Sequence, residues 1–180
     1  MNNKRNIYLM NLIVFLQGFV FYAPIATIFR EARGISLSQI FLIESISMIL
    51  IILFEIPWGI FADRFGYKKT LVIANFIFFI SKIVFFKANS FWMFLFERVL
   101  LSISISGLSG CDSALIYVSI NKDDNSERIF AWYGWFSTIG FLLASVMSTF
   151  IVNISMDSAA CYTIIPYGLA FFGIFIYKGY

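Results

Sequence analysis

Histidine is absent from these 180 residues, and charge is scarce: 13 Lys and Arg against 10 Asp and Glu. The first absence removes His-based metal sites, catalytic triads and proton shuttles. The second separates the chain from soluble domains, in which about a quarter of residues are charged. Cysteine is limited to Cys111, inside an apolar run, and Cys161, near the start of another. Neither has ligand spacing or belongs to a disulfide framework, and both read as small buried residues. Alternating polar and apolar positions over strand length are missing, which argues against a β-barrel. So are a nucleotide-binding loop, a catalytic constellation, an interdomain linker and any low-complexity tract. No enzyme activity, cofactor, metal or nucleic-acid partner is expected.

What fills the chain instead is apolar. Hydrophobic residues make up 61%, Phe alone contributes 23 positions, and the mean hydropathy is +0.87. A membrane-spanning helix needs about 20 apolar residues, and six runs qualify: about 7–29, 38–62, 70–86, 91–120, 129–152 and 160–177. The expected fold is an all-α polytopic membrane protein in the cell (plasma) membrane, with the lipid bilayer as its first partner. The first run is too long for a signal-peptide core and lacks a small-residue cleavage site, so it reads as a retained helix. Lys and Arg concentrate on the cytoplasmic side of membranes. With the N-terminus inside, that side holds Lys4, Arg5, Arg64, Lys68, Lys69, Lys122, Arg128 and Lys178, against Arg30, Arg33 and Lys87 outside. Both termini and the segment 63–69 between spans two and three are therefore expected in the cytoplasm. Phe91, Trp92, Trp132, Tyr133, Trp135 and Tyr177 fall near span ends and read as interfacial belts.

The stretch from Pro57 to Lys69 says most about function. Pro57 removes a backbone donor near the end of the second span and is expected to kink it. Gly59 and Gly66 permit close approach and unusual turn dihedrals. Asp63 falls at a helix C-terminus, where the macrodipole disfavours an anion. It calls for a partner among Arg64, Lys68, Lys69 or the N-terminus of a neighbouring helix. The bland reading makes the basic residues a positive-inside signal resting on anionic head groups.

The pattern Gly59-x-x-x-Asp63-Arg64-x-Gly66-Tyr67-Lys68-Lys69 resembles the loop 2–3 signature of the major facilitator superfamily, with Tyr67 at a position that is often basic. Glu55 and Pro57 before Gly59 resemble a version found in bacterial members. Ser109 to Tyr117 is similar to the inner half of helix 4 in some bacterial facilitators. Glu97-Arg98 followed by Gly107 resembles the arginine-and-glycine signature of that helix. The resemblance covers the whole chain as one domain, and corresponds to the N-terminal half of a usual twelve-helix facilitator. It implies six helices arranged as a 3+3 inverted repeat, although only hydropathy, not sequence identity, relates the two triplets. It also implies that Asp63, with Glu55, belongs to a latch against the other six-helix half.

Polar groups inside spans are expensive in lipid and are functional candidates. Arg98 and Asp112, fourteen residues apart, fall on one face of a continuous helix, about 21 Å apart along it. Ser102, Ser106, Ser109 and Ser113 extend this stripe, which serves either a water-filled cavity or helix packing. Glu44 and Glu55, eleven residues apart, also share a face; Glu55 is a latch or a proton-coupling carboxylate, and Glu44, toward the outside, is a candidate for the cavity or for coupling. Glu97 stands ready to neutralise Arg98 or Lys82. Lys82 lies about one turn from the end of span three and is expected to snorkel to the interface. Gln17 either contacts a solute or bonds a neighbouring helix.

Two functions follow. The first is a secondary transporter, or half of one, moving a small solute by alternating access. Six helices supply one wall of a cavity, so it would pair with a second six-helix half or with a copy of itself. The second is a truncated, non-transporting membrane protein, such as an accessory or immunity subunit.

Overall fold

The computed structural model describes residues 3–120 and 125–176. Lys122, Tyr177 and Lys178, used above for orientation and belts, lie outside the described residues, as does the side chain of Lys4. Every regular element among the described residues is helical: α1 (Asn3–Gly18), a short 3-10 turn (Ala23–Ile25), α2 (Ala26–Ala32), α3 (Leu37–Phe65), α4 (Tyr67–Lys87), α5 (Phe91–Leu108), α6 (Cys111–Ser119), α7 (Ser126–Val152) and α8 (Met156–Ile176). They compose six spans long and apolar enough to cross a bilayer: Arg5–Ala32, Leu37–Phe65, Tyr67–Lys87, Phe91–Ser119, Ser126–Val152 and Met156–Ile176.

Two spans are not continuous helices. The first breaks between Gly18 and Ala23, where Pro24 enters the following 3-10 turn. Proline has no N–H, so it sits most easily where a helix starts. Backbone groups freed inside a membrane need partners, and α8 supplies them. Thr163 Oγ1 accepts from the Phe21 amide at 3.0 Å, and the Tyr167 hydroxyl donates to the Gln17 carbonyl at 2.7 Å. The fourth span breaks at Ser109 and Gly110, with Gly110 at φ +70°, a conformation that disfavours a side chain. Sequence periodicity treats Arg98 and Asp112 as two points on one helix. The break removes that phase relation, and the two charges belong to different helices.

Pro57, in contrast, lies inside a continuous 29-residue α3. A capping box between Ser36 and Gln39 starts this helix, and Gly66 ends it at φ +87°. The Gly66 amide donates to Ala62 at 2.8 Å, and its carbonyl accepts from the Thr70 hydroxyl at 3.1 Å. The connection expected over 63–69 is thus a single non-helical residue. Asp63 and Arg64 finish α3, while Lys68 and Lys69 lie in the first turn of α4.

Packing reveals the internal symmetry that sequence identity hides. The principal pairings are α1 with α7 and α8, α3 with α5, and α4 with α5 and α8. Exchanging span one with four, two with five and three with six leaves this set unchanged, and the two broken spans trade places. The symmetry extends to the crossings. A Cβ on Gly140 of α7 would stand 2.3 Å from the Phe15 carbonyl of α1, and one on Gly18 would stand 2.8 Å from the Phe141 amide. Across the other crossing, a Cβ on Gly107 of α5 would meet the Trp58 ring of α3 at 2.8 Å. Small residues let helices close on each other where lipid provides no hydrophobic drive. Each end of the bundle has its own apolar core, one around Met10, Leu71, Ile116 and Ile174, the other around Phe29, Ile43, Phe85 and Phe94.

Candidate functional site

Four spans bring charge together in the interior. Glu44 of α3 accepts from two arginines through one oxygen: Arg30 Nη1 of α2 at 2.9 Å and Arg98 Nη2 of α5 at 2.5 Å. Glu97 of α5 is fully buried, with Oε2 at 3.8 Å from both Arg30 Nη2 and Arg98 Nε. Arg30 is 1% exposed, flanked by the Phe85 and Phe94 rings at 5.5 and 5.7 Å. An arginine expected outside the membrane on one span end is therefore one of the most enclosed side chains in the molecule. Its position early in a loop, by hydropathy, hid it: Glu31, Arg33 and Gly34 follow closely, and nothing in the local sequence marks it as buried.

Lys82 also departs from expectation. It does not snorkel: it is 3% exposed, donates to the Tyr22 hydroxyl at 3.1 Å, and lies 4.6 and 4.7 Å from the Tyr167 and Phe78 ring centres. A cation over aromatic faces is stabilised by the ring quadrupole, and a position facing the bundle makes the interface unreachable. Three basic side chains, Arg30, Arg98 and Lys82, thus share the interior with two carboxyl groups, those of Glu44 and Glu97. Among the described residues, Arg30 Nε and Nη2, Arg98 Nε and both Glu97 oxygens find no hydrogen-bond partner.

Deeper in the span, Gln17 donates to Asn75 Oδ1 at 2.7 Å, and Asn75 returns its own donor to the Leu71 carbonyl. Asp112 accepts from the Tyr133 hydroxyl of α7 at 2.7 Å, which takes Tyr133 out of the interfacial belt. Of the stripe serines, Ser102 bridges to Ser47 at 2.8 Å, and Ser106 bonds its own helix at the Ser102 carbonyl. These two link or pack helices.

The signature residues gather at the other end of α3. Glu55, Asp63, Arg64 and Lys69 are exposed and Lys68 half-exposed. None of them forms an ion pair among the described residues. Arg64 instead lies over its neighbour Phe65 at 5.4 Å, so the local partner expected for Asp63 is not engaged. Glu55, Trp58, Gly59 and Asp63 form one wall of a cavity of about 310 Å³ whose other wall is Ser106, Ser109, Gly110 and Cys111 at the break in span four. A Cβ on Gly59 would meet nothing within 4 Å, so its smallness is not required by this chain's own packing.

Six apolar spans, two triplets related by exchange, and a broken helix opening each triplet define a multi-pass α-helical membrane protein. The chain belongs to the Major Facilitator Superfamily, whose family model matches residues 7–179. It is similar to an uncharacterized transporter of Buchnera aphidicola subsp. Schizaphis graminum, 34% identical over 103 residues that cover 57% of this chain and 25% of that protein. It is also similar to one from Buchnera aphidicola subsp. Baizongia pistaciae, 27% identical over 158 residues covering 84% of this chain and 39% of that one. The chain thus spans between a quarter and two fifths of the curated relatives it matches.

Proposed function

We propose that this chain is the N-terminal six-helix half of a secondary transporter that moves a small solute by alternating access. The observation that carries the reading is the family match over nearly the whole chain, together with an Asp63 that forms no ion pair among the described residues and lines a groove at the signature turn. In this reading the N-terminus and Gly66 face the cytoplasm. Glu55, Gly59, Asp63 and Arg64 meet a second six-helix unit, supplied by another half or by a second copy. Rocking about a midplane site then exposes the solute to either side.

The test is flux. Purified chain in liposomes is assayed for counterflow of a solute panel under imposed proton and sodium gradients, beside Asp63→Asn and Arg98→Ala. Flux that both substitutions reduce supports the reading. A protein that stays monomeric and moves nothing under any gradient sinks it.

A further inference from the structure

The two crossings described above are alike, yet the spaces beside them are not. N-terminal to the Trp58–Gly107 contact, α3 and α5 stay joined: Ser102 bonds Ser47 at 2.8 Å, and beyond it Glu44 accepts from Arg98 and Arg30. The corresponding space, N-terminal to the Gly18–Gly140 contact of α1 and α7, is open. Here the gap is a cavity of about 500 Å³ lined by Ile7, Tyr8 and Asn11 of α1 and Arg128, Trp132 and Phe136 of α7, among others. Arg98 and Glu44 stand nine and fourteen residues before their crossing; Asn11 and Arg128 stand seven and twelve before theirs. The levels correspond. One side has a carboxylate between its arginines; the other has Arg128 and no carboxylate among its described lining residues.

The lining asks for a ligand of definite chemistry. Arg128 is exposed and enters no ion pair among the described residues. Asn11 is 6% exposed, and its Oδ1 is enclosed without a donor. A buried acceptor left unmatched is costly, and more so in a membrane. Trp132 and Phe136 lie 6.0 Å apart between ring centres and offer a continuous aromatic wall.

We propose that the α1–α7 crevice binds a small organic oxyanion bearing a hydroxyl or amine donor on an apolar body. The anion meets Arg128, the donor meets Asn11 Oδ1, and the body lies on Trp132 and Phe136. The position is near the N-terminal ends of spans one and five, apart from the midplane solute site invoked above. An oxyanion with a nearby hydroxyl reaches it from two sources, a free organic acid or the headgroup of phosphatidylglycerol, and the experiment separates them.

The probe is 4-hydroxyphenylacetate, titrated calorimetrically into the full chain in phosphatidylcholine nanodiscs. Phenylacetate, which lacks the donor, and 2-(4-hydroxyphenyl)ethanol, which lacks the anion, are run in parallel. The intact probe should bind about tenfold or more tightly than either truncated one. Arg128→Gln should weaken it by a similar factor, and Asn11→Leu should abolish only its advantage over phenylacetate. A second arm uses nanodiscs containing phosphatidylglycerol, with retained lipid counted by native mass spectrometry. One lipid held by the wild type and lost from Arg128→Gln assigns the site to the headgroup. Probe binding undiminished in those discs assigns it to a free acid. Either result upholds the site. Equal affinity for the three probes with no retained lipid overturns it, as does probe and lipid binding that Arg128→Gln leaves unchanged. Arg128 is exposed, so its variant keeps the test open even where Asn11→Leu fails to fold. Binding is read without flux, so it stands or falls separately from transport.

Discussion

Removing the carboxylate of Glu44 tests the interior charge cluster most directly. Glu44→Gln keeps the side-chain volume and leaves Arg30 and Arg98 with only Glu97, 3.8 Å from each. Breaking a fully buried ion pair by deleting one partner costs about 3–5 kcal/mol. The Arg30 side chain is 2% exposed but that of Glu44 is 33% exposed, so water relieves part of the penalty, and about 2–4 kcal/mol is the expected loss. Arg98→Gln should cost less, because Arg30 still pairs with Glu44. The two replacements share one oxygen, so their effects should not add: a coupling of about 1–3 kcal/mol is expected. The assay is reversible unfolding in mixed micelles titrated with a denaturing detergent, for the wild type, both single variants and the double. Single variants within about 0.5 kcal/mol of wild type, or strictly additive losses, would refute the argument that these charges hold three spans together.

The remaining expectations concern packing and backbone satisfaction. Gly140→Ala places a methyl 2.3 Å from the Phe15 carbonyl and should destabilise by about 1–3 kcal/mol, whereas Gly59→Ala, with open space around it, should not destabilise the isolated chain; detergent unfolding compares them directly. Tyr167→Phe exposes the Gln17 carbonyl at the break in span one and should cost about 0.5–1.5 kcal/mol, with faster amide exchange confined to residues near the break. Lys82→Met replaces a buried cation that has no carboxylate within salt-bridge distance among the described residues by an apolar chain of similar length, and should be neutral or stabilising; a fall in melting temperature would contradict this. Under the proposed orientation, Arg64→Cys in a Cys161→Ser background, which removes the exposed native thiol, should react with a membrane-impermeant maleimide added from the cytoplasmic side and not from the other.

Span number and helical class were legible because hydropathy over about 20 residues reports burial in lipid whatever the detailed packing. The signature turn was legible because its glycines and charges are local. Where α3 ends was not, since Asp63 and Arg64 look like loop residues but simply complete a helix that projects past the apolar run. The breaks in spans one and four were hidden because Gly18 and Gly110 are tolerable within helices; only partners such as Thr163 and Tyr167, more than a hundred residues away, make the first break affordable. The fate of Arg30 and Lys82 was misjudged for a related reason. Distance from a span end says how far a side chain must reach, while the face it occupies says whether it can.

The length of α3 has a mechanical consequence. Twenty-nine residues at 1.5 Å each make a rod of about 43 Å, well beyond the 30 Å of a bilayer's hydrocarbon. At an average tilt near 20° the rod still overreaches by about 10 Å. It is joined to α4 through one residue, Gly66, which leaves little slack between the two rods. A push on the protruding tip at Asp63 is therefore transmitted as leverage on both helices, and through Glu44, some 28 Å down the same rod, to the arginines of spans one and four.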